Sequence, residues 1–139
     1  MPSDNARNSW SPYALAALRV MSALLFMGHG TMKLFAFPAP MEIELFSLMG
    51  LAGVLEVFGG VLLLVGLFTR PVAFVLSGFM AVAYFMAHAP QGFYPALNQG
   101  DAAILFCFVF LYLVFAGPGA FSLDALRQSQ AAGLAPSAR

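Results

Sequence analysis

Ala14–Phe35 reads ALAALRVMSALLFMGHGTMKLF, a run long enough to cross a bilayer that nonetheless holds Arg19, His29 and Lys33. A helix needs about 20 mostly apolar residues to span the hydrocarbon layer. An ionisable side chain at its centre costs about 2.5–3.5 kcal/mol on insertion scales. Three such residues in one span must face protein, water or the interface. Arg19, Phe26 and Lys33 recur every seven residues, and His29 lies one turn before Lys33, so these groups share a helix face. The span therefore requires partner helices.

Composition supplies them. Of 139 residues, 61% are hydrophobic and only 9% are charged, against about 25% charged in soluble domains. The expectation is an integral membrane protein. Formal net charge is zero and no basic block is present, so nucleic acid is not an expected partner. The single cysteine, Cys107, leaves the chain without an internal disulfide or a two-thiol relay. The first apolar run is longer than the about 7–15 residues of a signal-peptide core and is interrupted by His29 and Lys33, so it reads as retained.

Met1–Pro12 is polar and reads as a loose tail ending near an interfacial Trp10. A first helix is expected from about Tyr13 to Phe35, stopped by FPAP at Phe37–Pro40. Met41–Met49, with Glu42 and Glu44, would lie in the interface or open the second helix. That second helix runs from about Gly50 to Phe68. Gly53, Glu56 and Gly60 share one of its faces, where small residues allow a neighbouring backbone to approach. A third helix is expected over Val72–Ala89, with Ser77, Ala81, Tyr84 and His88 in one stripe, and a Pro/Gly loop follows at Pro90–Leu97. Asn98 reads as the N-cap of a fourth helix ending at Gly117-Pro118-Gly119, with Asp101 in its first turn. Ser122 and Asp124 would begin a short helix before a frayed end at Ala131–Arg139.

The expected fold is all-α, an antiparallel bundle of four transmembrane helices. Residues 1–12 form an N-terminal cytoplasmic tail, 13–124 the membrane domain and 125–139 a C-terminal cytoplasmic tail. Arg7, Arg70, Arg127 and Arg139 fall in the two tails and the second loop, and the other loops carry no arginine. The positive-inside rule then puts both termini in the cytoplasm.

That orientation collects His29, Lys33, Glu56, His88, Asn98 and Asp101 in the outer leaflet. Arg19, Arg70 and Asp124 collect at the inner side. His29, Lys33 and Glu56 either clasp the first two helices or line a polar pocket for a quinone-like or other small polar ligand; His88 and Asp101 are further candidates for its lining. His88 and Asp101 also have adequate structural roles at a loop and a helix terminus. Arg19 reads either as an inner structural pair with Asp124, with Arg70 beside it, or as a snorkelling arginine, and Cys107 as a core residue. A metal centre drawn from His29, Glu56, His88 and Asp101 lacks any closely spaced ligand motif, so none is expected. A haem between His29 and His88 rests on helix count alone. No other cofactor motif is evident.

Three segments, LRVMSALLFMGHGTMKLF, GVLEVFGGVLLLVGLFTRPVA and NQGDAAILFCFVFLYLVFAGPGAFSLD, together resemble the DoxX family of small four-helix bacterial membrane proteins. The resemblance rests on H-G-x-x-K-L at His29–Leu34, E-x-x-G-G at Glu56–Gly60 leading to Arg70, and G-P-G-x-x-S-L-D at Gly117–Asp124. Family members often have glutamate where this chain has Asp101. The family takes its name from a membrane subunit linked to thiosulfate:quinone oxidoreduction, and some relatives occur in membrane-associated redox complexes. The resemblance thus implies a membrane subunit of a quinone-linked redox system. Lacking an electron carrier motif, this chain would supply a pocket for a bound quinone, and a redox partner protein would supply electrons. Two other readings remain open: a non-enzymatic anchor or assembly scaffold, as a homo-oligomer, and a small-solute transporter module.

Overall fold

A computed structural model describes residues 4–133. Arg139, counted above among the cytoplasmic arginines, lies outside the described residues. The described chain is all-helical: α1 (Asp4–Phe35), α2 (Leu48–Val65), α3 (Thr69–Ala83), a short α4 (Pro95–Asn98), α5 (Asp101–Ala116) and α6 (Leu123–Gly133). Helix α3 continues through a π-helical turn, Tyr84–His88, and a 3-10 turn, Ala89–Gln91. Three segments are long and apolar enough to cross a membrane: Ser9–Phe35, Leu48–Val65 and Thr69–Gln91. Helix α5 is as apolar but has 16 residues, about 24 Å at 1.5 Å per residue.

Two boundaries differ from the sequence reading. Helix α1 begins at Asp4, so most of the expected loose tail is helical, with Pro12 inside it. Polarity along that stretch reports the absence of lipid and not the absence of helix. The 32 residues span about 48 Å against a hydrocarbon layer of about 30 Å. Asn98 is not the cap of the fourth long helix. Gln99 takes a left-handed conformation (φ 58°), the chain turns, and α5 starts at Asp101 behind Gly100. Residues 36–47 form no helix before α2, whose N-cap Ser47 accepts from the Gly50 N–H at 3.3 Å.

Helices α1 and α2 pack antiparallel along their length. Gly30 faces Glu56 and Val57, Gly53 faces Lys33 and Leu34, and Gly60 faces Met27. A Cβ on Gly30 would stand 2.9 Å from the Val57 backbone nitrogen, so the two backbones touch where only glycine fits. Helix α3 pairs antiparallel with α5. The Ser77 hydroxyl donates to the Cys107 carbonyl at 2.9 Å, and Arg70 Nη1 donates to the Val114 and Phe115 carbonyls at 2.6 and 2.7 Å. The two pairs close over Phe26, which is buried and meets the rings of Phe79, Phe106 and Phe110 at 6.3, 5.4 and 5.0 Å. Around it lie Ala23, Leu63, Leu76, Met80 and Leu113. Cys107 packs half-buried against this core.

Outward, the helices present Leu24, Leu25, Phe58, Phe74, Val75, Phe108 and Phe115. An apolar exterior around an apolar core is what a bilayer requires of helices that satisfy their own backbones.

Candidate functional site

The α1–α2 contact carries a buried ion pair. Lys33 Nζ donates to Glu56 Oε1 at 2.6 Å, with side chains 13% and 6% exposed. Glycine makes this possible twice over. Gly30 lets the Glu56 Cβ and the Val57 backbone nitrogen come against α1, and Gly53 leaves room for the Lys33 stem, whose Cβ lies 3.1 Å from where a Cβ of residue 53 would stand. The second carboxylate oxygen, Glu56 Oε2, is buried and has no hydrogen-bond partner. His29, one turn before Lys33, is exposed and sets its ring edge-on to Phe106 at 6.2 Å. It lies within electrostatic reach of Glu56. Helices α1 and α2 thus bring Lys33 and Glu56 together, while His29 stands exposed beside Phe106 of α5.

His88 and Asp101 belong elsewhere. His88 Nδ1 is hydrogen-bonded to the Asn98 carbonyl at 3.0 Å and its ring stacks on Tyr84. Asn98, fully buried, receives the Gly100 N–H on Oδ1 at 2.9 Å and donates through Nδ2 to the Gly92 carbonyl at 2.7 Å. These bonds staple the loop between α3 and α5. Asp101 is exposed in the first turn of α5, where its charge complements the helix dipole. Among the described residues, no three His, Cys, Asp or Glu side chains gather as a metal-binding group.

The inner group differs most from expectation. Arg19, Arg70 and Asp124 make no direct ion pair with one another, although Asp124 lies within electrostatic reach of Arg19; each binds backbone. Arg19 is fully buried. Its Nε donates to the Pro118 carbonyl (2.7 Å), Nη1 to Leu63 and Leu64 (2.5 and 2.6 Å), and Nη2 to Ala120 and Phe121 (3.3 and 3.0 Å). A guanidinium has five N–H donors, and all five are used. They close the C-terminus of α2, whose last carbonyls lack helical partners, and fix the loop leaving α5. Asp124 accepts from the Phe68 and Thr69 N–H groups at 2.9 and 2.8 Å, so it caps the start of α3. Partial burial works to raise its carboxyl, but those two backbone bonds and the nearby Arg127 hold it below its ordinary value. Gly66, left-handed at φ 67°, ends α2 and leaves the space that Ser122 fills, since an added Cβ would collide with the Ser122 Cβ.

A model of the DoxX family matches residues 14–89. The chain belongs to the DoxX family. The matched segment holds Arg19, His29, Lys33, Glu56 and His88, whereas Asp101 and Asp124 lie beyond it. An uncharacterized protein of Haemophilus influenzae is 44% identical over 127 residues, covering 86% of this chain and 95% of that one. Likeness to this DoxX chain therefore extends well past the matched segment. No solved structure gives a significant match. With its apolar spans, this DoxX protein is an integral membrane protein in contact with the lipid bilayer.

Proposed function

We propose that this DoxX protein is the membrane subunit of a quinone-linked redox system, with His29, Lys33 and Glu56 lining the quinone site. In this reading α1, α2, the extended α3 and α5 all cross a bacterial inner membrane. The termini lie in the cytoplasm and the site sits in the outer leaflet. The observation that carries the site is the buried Lys33–Glu56 pair with one carboxylate oxygen unpartnered. Ionisable residues inside a membrane are functional-site candidates by default, and a buried acceptor without a donor is costly. Lys33 or His29 would donate to a quinone oxygen, and Glu56 would exchange the proton that accompanies reduction. Electrons would come from a partner protein. His88 and Asp101, held in the α3–α5 loop and at the α5 terminus, would flank the site without touching the ligand.

Native mass spectrometry with lipid extraction, on protein purified in mild detergent, tests this. A co-purifying quinone is expected in the wild type and lost from folded His29→Ala and Glu56→Gln variants. Quinone retained unchanged in both variants would sink the assignment of the site.

A second reading is a scaffold, favoured by the interlocking of Gly30 with Glu56 and Gly53 with Lys33. There the ion pair only clasps α1 to α2. The same substitutions would then lower bundle stability, the purified wild type would carry no quinone, and a stoichiometric partner chain or second copy would accompany it.

A further inference from the structure

Once the ion pair is drawn, two valences remain at the α1–α2 contact. Glu56 uses Oε1 for Lys33, and Oε2 is buried without a donor. An ammonium has three N–H donors, and Oε1 takes one of those on Lys33. The pair thus presents an acceptor lacking a donor beside a cation with donors to spare, inside an apolar helix contact. One chemical group satisfies both at once: a hydroxyl, which accepts with its oxygen and donates with its hydrogen.

The geometry points to a ligand hydroxyl seated between Lys33 Nζ and Glu56 Oε2. Lys33 donates to the hydroxyl oxygen, and the hydroxyl donates to the orphaned carboxylate oxygen. This rests on the quinone reading and deepens it by naming the form held. A hydroquinone, or another phenol, carries the required O–H. A quinone offers only carbonyl acceptors and would set one of them against Oε2. The site therefore selects the reduced, hydroxyl-bearing molecule.

Access to the pair would run past Lys33. It stands in the last turn of α1, just before the helix ends at Phe35, and its long stem lies over Gly53, which has no side chain to hold it.

The test compares three ligands on wild-type protein in lipid nanodiscs, under anaerobic conditions: a short-chain hydroquinone, the matched quinone and the hydroquinone dimethyl ether. The ether keeps the ring and the oxygen acceptors and carries a methyl group in place of each O–H donor, and the quinone, which adds no bulk, controls for size. Hydroquinone is expected to bind about tenfold or more tightly than either, the scale of one hydrogen bond to a charged acceptor. Glu56→Gln, which removes the charged acceptor, should lose the hydroquinone preference together with the tight binding. Equal affinities of all three for the wild type would overturn the inference and leave the quinone site standing. Binding of none would remove both. A hydroquinone preference persisting in folded Glu56→Gln protein would put the hydroxyl elsewhere and overturn the inference alone.

Discussion

Asp124 shows how one side chain ties chain segments 56 residues apart. Its two oxygens close the Phe68 and Thr69 N–H groups, and its own N–H donates to the Gly66 carbonyl at 2.9 Å. The turn between α2 and α3 is therefore fastened to the start of α6 through both backbone and side chain. Because the folded carboxyl titrates below its ordinary value, the folded state binds fewer protons than the unfolded chain in the interval between the two values. Its stabilising contribution is complete above the unfolded value of about 3.9 and disappears as pH falls through the lower folded value. Thermal unfolding in detergent should give a wild-type midpoint that drops more steeply below about pH 4 than that of Asp124→Asn. At pH 7 the variant should lose about 1–3 kcal/mol, because the asparagine amide keeps one acceptor oxygen and sets its NH2 against the other backbone N–H. Parallel acid limbs in the two proteins would contradict the capping role. Arg19 does the converse at the other helix end, donating to five carbonyls where the sequence suggests a carboxylate partner.

Among the elements, the α1–α2 pair is the one whose fit can be tested most sharply. A Cβ on Gly30 would press on Glu56 Cβ at 2.8 Å and on backbone nitrogen at 2.9 Å, whereas one on Gly60 would meet chiefly the Met27 side chain, and one on Gly28 would meet nothing within 4 Å. Backbone cannot yield as an unbranched thioether chain can. Gly30→Ala should therefore destabilise the bundle by about 1–3 kcal/mol, more than Gly60→Ala despite the closer approach at position 60. Gly28→Ala should be neutral or slightly stabilising, since alanine is the better helix former. Equal losses at positions 28 and 30, followed by unfolding in detergent, would refute the close contact. This contact is legible in the sequence, because Gly53, Glu56 and Gly60 lie at helical spacing, and glycines flanking a charge in an apolar helix mark a close backbone approach. The break before α5 is not: Gln99 turns the chain at positive φ, and a non-glycine residue in that region leaves no compositional mark. Depth along the membrane normal groups His88 and Asp101 with Glu56, but depth says nothing of lateral position. A sequence pairs Arg19 with Asp124 because side chains are visible in it and unpaired helix-end carbonyls are not.

On the scale of the whole molecule, one end gathers Arg19, Arg70 and Arg127 and the other the carboxylates of the loop between α1 and α2. The Pro12 carbonyl accepts the Ala120 N–H at 2.9 Å, Arg19 binds Pro118, and Asp124 binds Thr69, so the α1 extension, the α2–α3 turn and the α5–α6 loop meet at one end. Arg70 and Arg127 are exposed there, Arg127 lying over the Phe68 ring at 5.1 Å. Trp10, Tyr13 and Phe121 form a ring ladder beside them, with centroids 6.0 and 5.6 Å apart, as aromatic residues do at a bilayer surface. Glu42 and Glu44 occupy the opposite end, between α1 and α2. A positively charged end retained in the cytoplasm requires Glu42 and the proposed ligand site to face outward. Single cysteines at position 42 and at position 128, in a Cys107→Ala background, decide the matter in cells whose inner membrane is intact and accessible. A membrane-impermeant maleimide should label position 42 directly and position 128 only after lysis. The reverse pattern would turn the molecule over, placing His29, Lys33 and Glu56 in the inner leaflet and any donor of electrons to that site on the cytoplasmic side.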